Sequence, residues 1–326
     1  MSQKIHTLSA GDGTLQVATR GARVLSCHVD GEDANLFYED AEGNGGDRLW
    51  IAPEVAYNWT SLEAAREDPV AASATPKVMD PGTWAVHGTW DGGLTLAQSL
   101  ELTDVRDGKR IELAIKRTVS AIAPPFGLPD GVACTSFTVV NDLTATGGDD
   151  GAVAAAWDIL QIPVTGTLVC PTTRRVEPRS YYEPFGDKHV QVADDSVRFL
   201  VDHKRRVKMG LRPEHTTGRM GFLRSLKKGQ SSLIVRVFSV LPGEQYVDIP
   251  RDHPADQRSG GDALQAYNDD LTYGPFGEME YVTPAVVVGG CQHRNTACVT
   301  HAMVGPDALI REAGEALLGV AVGLIE

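Results

Sequence analysis

Hydrophobic residues recurring at every second position constrain this chain most. Leu25, Cys27 and Val29 alternate with Ser26, His28 and Asp30 until Gly31 breaks the run. Leu100 and Leu102 alternate with Glu101 and Thr103; beyond Asp107-Gly108, Ile111, Leu113 and Ile115 alternate with Glu112 and Lys116. Successive side chains of a strand point to opposite faces, so this pattern selects strands with one apolar face. The Asp-Gly step makes the second and third runs a hairpin. Similar runs cover Ser136 to Asn141, Val197 to Asp202, Arg206 to Leu211, Leu233 to Val240, Glu278 to Val282 and Ala297 to Met303. Each would bury one face and wet the other, as antiparallel sheets do.

Helical signals are few. Thr60 and Glu63 fit a capping box opening a short segment toward Arg66. From Asp307 to Leu318, Leu309, Ile310 and Leu317 have helical spacing, with Arg311 and Glu315 on the other side. Pro124-Pro125-Phe126-Gly127 and Gly147-Gly148-Asp149-Asp150-Gly151 mark loops within one unit, because strands resume at once on both sides. Many short strands with frequent turns over 326 residues predict an all-β chain. The expectation is a large sandwich or barrel with one or two short helices, in a single domain over residues 1–326.

Composition narrows the function classes. Charged residues are 22% and apolar residues 42%, which supports a packed core and excludes a disordered chain. A net charge of −13 argues against duplex nucleic acid and against an anionic membrane surface. The longest apolar stretch, Leu317 to Ile325, is short and contains glycines, well below the roughly 20 residues of a spanning helix. Met1 to Thr7 lacks the apolar centre of a secretory leader. Cys27, Cys134, Cys170, Cys291 and Cys298 are scattered, with no Cys-x-x-Cys pair. They predict small buried hydrophobes in a reducing compartment and no structural zinc. A cytoplasmic location follows as the expectation, with a secreted form whose leader has been removed as the alternative.

Phosphate-loop, dinucleotide, nucleophile-elbow and zincin signatures are all absent, and three clusters remain. In Gly45-Gly46-Asp47-Arg48-Leu49-Trp50-Ile51-Ala52-Pro53-Glu54, a guanidinium, an indole and a carboxylate follow a tight turn. Arg offers a fork of donors for hydroxyls or carboxylates, and Trp a flat face for a sugar ring; an Arg–Glu pair beside a core Trp is the structural alternative. In Phe276-Gly277-Glu278-Met279-Glu280-Tyr281-Val282-Thr283-Pro284, Glu278 and Glu280 share one strand face, either solvated or in use. Val153 to Pro163 places Trp157, Asp158 and Gln161 inside an apolar run, where the carboxylate needs a partner such as Arg to stay ionised. The basic run His203 to Lys208 reads as a solvated strand edge.

Taken in order, the GGDRLW-x-x-PE segment, Thr135 to Asn141 followed by AAAWDILQIP, and the late FGEMEYVTP resemble the galactose mutarotase-like superfamily over residues 40 to 290. That superfamily includes aldose 1-epimerases, hexose-phosphate epimerases and many other sugar-binding relatives. The resemblance implies a β-supersandwich with a shallow sugar cleft, a small carbohydrate ligand, and neither metal nor cofactor. Arg48 falls where the epimerases carry an Arg on sugar hydroxyls, and Glu280 where they carry the glutamate that deprotonates the anomeric hydroxyl. Where their acid His is expected this chain has Trp157-Asp158, and His87-Gly88 is a faint echo of an earlier His-Gly-Gly. His189 and His215 lie in loops without motif support. The candidate catalytic residues are therefore Glu280, Asp158 and His87, and the candidate sugar contacts Arg48, Trp50, Glu54, Trp157, Gln161 and Glu278. Rival readings are a lyase or glycosidase on a uronate or modified sugar, and a sugar-binding module without turnover.

Overall fold

The computed structural model describes residues 4–40, 44–182, 184–186, 188–250 and 260–325. Among these residues the strands form two antiparallel sheets of ten strands each. Across the first sheet the central order is Arg23–Val29, Asp47–Ala52, Val153–Pro163, Phe276–Val282, Leu264–Asn268 and Val207–Leu211. The second sheet runs through Gly166–Pro171, Arg219–Ser225, Gln230–Phe238, His293–Pro306, Ala133–Gly148, Arg110–Ala121 and Gly93–Thr103, ending at the edge strand Ala85–Trp90. Between the sheets, Leu15, Leu160 and Met279 of the first pack in one apolar cluster with Phe137, Phe222 and Ile234 of the second. This is the layered arrangement that strands with one apolar face can satisfy.

The hairpin expected around Asp107-Gly108 is present, with Leu100 opposite Leu113 and Leu102 opposite Ile111. The two expected helices are also present, Leu62–Glu67 and Asp307–Leu318. Beside them lie two four-residue turns of helix, Glu54–Tyr57 and Pro69–Ala72. The cap of Leu62–Glu67 is Ser61, whose hydroxyl accepts from the Ala64 N–H; Thr60 is one residue too early. Asp307–Leu318 lies on the outer face of the second sheet, burying Ile310, Ala313 and Leu318 against Val169, Leu223, Leu233 and Met303. No helix among the described residues is long and apolar enough to cross a membrane.

Two local readings change. Val207–Leu211 is buried throughout and paired on both sides, so the basic run does not end in a solvated edge: Val207, Met209 and Leu211 pack between the sheets and Lys208 is buried on the opposite face. Four cysteines are buried as expected, whereas Cys291 is exposed.

Candidate functional site

The turn at Gly45-Gly46 starts the site. Both residues have positive φ (103° and 66°), and a Cβ on Gly46 would collide with the Val24 carbonyl; glycine is required there. The turn aims the chain into Asp47–Ala52, which pairs with Val153–Pro163. That strand pairs in turn with Phe276–Val282, followed by Leu264–Asn268 and Val207–Leu211. Register then fixes which side chains share the outer face of the sheet. One row is Trp50, Trp157 and Val282; the next is Arg48, Ile159, Glu280 and Gln265; the third is Gln161, Glu278, Tyr267 and Lys208.

From these rows Trp50, Trp157, Arg48, Gln161, Glu278, Tyr267 and Lys208 form the floor of a cavity of about 370 Å³, within the range roughly 300–1,000 Å³ of small-molecule sites. Arg48 donates to Glu278 at 2.8 Å, Gln161 donates to the same carboxylate oxygen at 2.9 Å, and the Arg48 guanidinium lies 4.4 Å above the Trp50 ring. Trp50 Nε1 donates to Asp80 at 2.7 Å, and Asp80 also accepts from Arg23 at 2.6 Å. Burial alone would raise the Asp80 carboxyl, but Arg23 and Arg48 hold it below the usual carboxylate range. Trp50 meets Trp157 edge-on at 5.6 Å.

Glu280 sits just beneath this floor and is fully buried. One of its oxygens accepts from Trp157 Nε1 at 2.7 Å and lies 3.0 Å from Lys208 Nζ; the other has no hydrogen-bond partner among the described residues. Burial pushes the Glu280 carboxyl up to about 7, with Lys208 opposing and Glu278 adding to the rise. Lys208 lines the cavity, reaches Glu54 at 3.3 Å and lies 4.4 Å over the Trp157 ring. Burial opposes its charge, yet Glu280 and Glu54 hold it well above the ordinary lysine value. Glu54 opens its turn of helix at the cavity wall, and burial raises its carboxyl while Lys208 pulls it down. A carboxyl–ammonium–carboxyl chain therefore runs from below the floor to the wall. With its buried carboxyl near 7, this chain has the parts of a proton relay.

Of the residues expected from sequence, Arg48, Trp50, Glu54, Trp157, Gln161 and Glu278 all line this one cavity. Asp158 does not. It follows Trp157 and so faces the other sheet, fully buried and ion-paired to Arg117 and Arg236 together with Asp47. Burial opposes its charge, but the two guanidiniums hold the Asp158 carboxyl far below the usual range. Asn141 also donates to it, at 2.9 Å. The predicted need for an Arg partner is met twice over, on the side away from the cleft. His87 lies exposed on the edge strand of the second sheet, and among the described residues no histidine lines the cavity. Sequence reading missed Lys208, hidden in a charge run, and Arg23, Asp80, Tyr182 and Tyr267, which carry no local motif. Among the described residues, no three of His, Cys, Asp and Glu converge to hold a metal ion.

Residues 38–326 match the profile of DUF6786, a family of unknown function. No curated protein matches the chain. Among solved structures, it is similar to an Escherichia coli K12 protein described as a candidate aldose 1-epimerase, at 11% identity and a TM-score of 0.56. That match covers 94% of this chain and all of the other. It is also similar to a galactose mutarotase-like protein from Lactobacillus casei, at 13% identity and a TM-score of 0.51, covering 92% of this chain and all of the other. At these identities the likeness is one of fold, and the fold is the galactose mutarotase-like sandwich.

Proposed function

The chain belongs to DUF6786, a family of unknown function, and from the geometry of its cleft we propose that it binds a carbohydrate and moves protons on it, as an aldose 1-epimerase does. The observation that carries this reading is the Glu280–Lys208–Glu54 chain at the cleft floor, with a carboxyl poised near neutrality at its buried end. The Trp50 and Trp157 pair beside it supports a sugar as ligand, since aromatic faces stack on the C–H patches of pyranose rings.

In such a reaction the anomeric hydroxyl loses its proton, the bond from C1 to the ring oxygen breaks, and the ring oxygen gains a proton. Rotation about the C1–C2 bond and the reverse transfers give the other anomer. Lys208 Nζ, at the cleft surface, takes the hydroxyl proton as it passes one of its own to Glu280. Glu54, with its raised carboxyl, is the donor to the ring oxygen. No cofactor enters this balance.

The test is mutarotation of simple aldoses, followed by polarimetry, on the wild type and Glu280→Gln. Gln keeps an oxygen for Trp157 Nε1 but cannot take the proton. The variant is expected to fold and bind sugar, read by tryptophan emission, while turnover falls by roughly 10²–10⁴-fold. Robust wild-type turnover that Glu280→Gln leaves intact would remove the proton chain from the mechanism. Sugar binding with no turnover of any aldose would identify a binding module instead.

A further inference from the structure

We propose that the cleft takes an acidic carbohydrate of at least two units, with the anionic unit at Arg206; this rests on the sugar-cleft reading above. The first argument is length. The cavity is lined from Trp50 and Trp157 at one end to Phe276 and Arg206 at the other. On the Phe276–Val282 strand, Val282 is level with the two tryptophans and Phe276 is six residues away. Six residues of strand span about 20 Å, several times the width of a pyranose ring. A single sugar over the tryptophans and the proton chain leaves the Phe276 end unused.

The second argument is charge. Three cleft cations are engaged by carboxylates: Arg23 by Asp80, Arg48 by Glu278, and Lys208 by Glu280 and Glu54. Arg206 alone among the cleft cations has no carboxylate within ion-pair distance among the described residues; its guanidinium lies 5.7 Å over the Tyr182 ring, half-buried. Its field reaches the exposed Asp270, whose carboxyl it helps to lower after the Thr272 hydrogen bonds. Toward the tryptophans every cleft cation is already engaged by a carboxylate, so an added anion gains little there, whereas it meets an unengaged guanidinium at Arg206. The ligand is thereby oriented, neutral reacting end inward and anionic unit outward. A planar guanidinium fork suits a carboxylate or a phosphate ester equally.

The test measures affinity by tryptophan emission in the gluco, galacto and manno series. Each series comprises the hexose, its uronate, its 6-phosphate, the neutral disaccharide, the diuronate, and the disaccharide phosphorylated on its second unit. In a series that binds, the acidic disaccharide is expected to bind about tenfold or more tighter than both the neutral disaccharide and the acidic monosaccharide. Arg206→Gln should bring acidic and neutral disaccharides together, and Arg206→Lys should restore part of the gap. The diuronate and phosphate arms tell which anion is recognised. Equal affinity for one and two units, or a charge preference that Arg206→Gln leaves in place, overturns the proposal while the sugar-cleft reading stands. Absence of binding by every probe overturns both.

Discussion

Neighbouring residues of one strand do unrelated work here, because a strand turns consecutive side chains to opposite faces. Trp157 lies in the cleft and Asp158 lies between the sheets; Glu280 sits under the cleft and Tyr281 packs in the core. Asp158, Asp47, Arg117 and Arg236 form a balanced set of two anions and two cations without exposed side-chain surface. Removing one charge from such a set leaves an uncompensated buried cation. Asp158→Asn is therefore expected to destabilise the fold by about 3–5 kcal/mol, read as a lowered urea midpoint, while the folded fraction keeps sugar affinity. Loss of turnover at unchanged stability would return Asp158 to the chemistry. The sequence made Asp158 look functional because an aspartate in an apolar run must have a partner. That partner comes from strands far along the chain, and local pattern does not say on which face it waits.

At the scale of elements, the helix Asp307–Leu318 gives the sharpest case. Gly314 lies on its buried face, and a Cβ there would stand 2.7 Å from Leu233 Cδ2 and 3.0 Å from Val322 Cγ2. Alanine in a helix interior is ordinarily favoured over glycine by about 1 kcal/mol. Leu233 is fully buried and Val322 nearly so, and overpacking a filled site costs about 1–3 kcal/mol. Gly314→Ala is expected to lower the thermal midpoint; a rise would mean that Leu233 yields easily. The same packing logic explains which strands were legible. Gly93–Thr103 alternates between buried and exposed over its second half, and its sequence alternates accordingly. Asp47–Ala52 and Val153–Pro163 are covered on both faces, by the opposite sheet and by the cleft. Their alternation is erased, and these are the strands that build the site. Arg48 and Glu278 are 230 residues apart in sequence. The motifs placed both in the cleft, but only the folded chain brings them to 2.8 Å, across neighbouring rows, and only the folded chain shows Lys208 as the partner of Glu280.

For the whole molecule, buried acids set the response to pH. Asp262 and Glu280 are each pushed up to about 7. Burial leads in both; Asp248 adds to the rise at Asp262 and Glu278 at Glu280, while the facing cations oppose it. In the unfolded chain such carboxyls titrate near 4. Between about pH 4 and 7 the folded state thus holds protons that the unfolded state has released. Stability then falls as pH rises, by up to about 1.4 kcal/mol per pH unit for each group fully inside the window. Net charge works in the same direction, since the chain becomes more self-repelling as its carboxyls ionise toward the formal −13 of neutral pH. Asp158 acts oppositely: with its carboxyl held low by Arg117 and Arg236, its contribution is complete above about pH 4 and fades below it. The stability maximum is therefore expected on the acid side, near pH 4–5, with decline through neutrality and a plateau above about pH 8. Urea midpoints at pH 4.5, 6.0, 7.5 and 8.5 measure the curve. Asp262→Asn, which leaves the Glu280 carboxyl in place, should flatten the slope between pH 4.5 and 7.5. A midpoint that climbs from pH 4.5 to 7.5 would mean that these acids are ionised in the fold, and the proton chain beneath the cleft would lose its acceptor poised near neutrality.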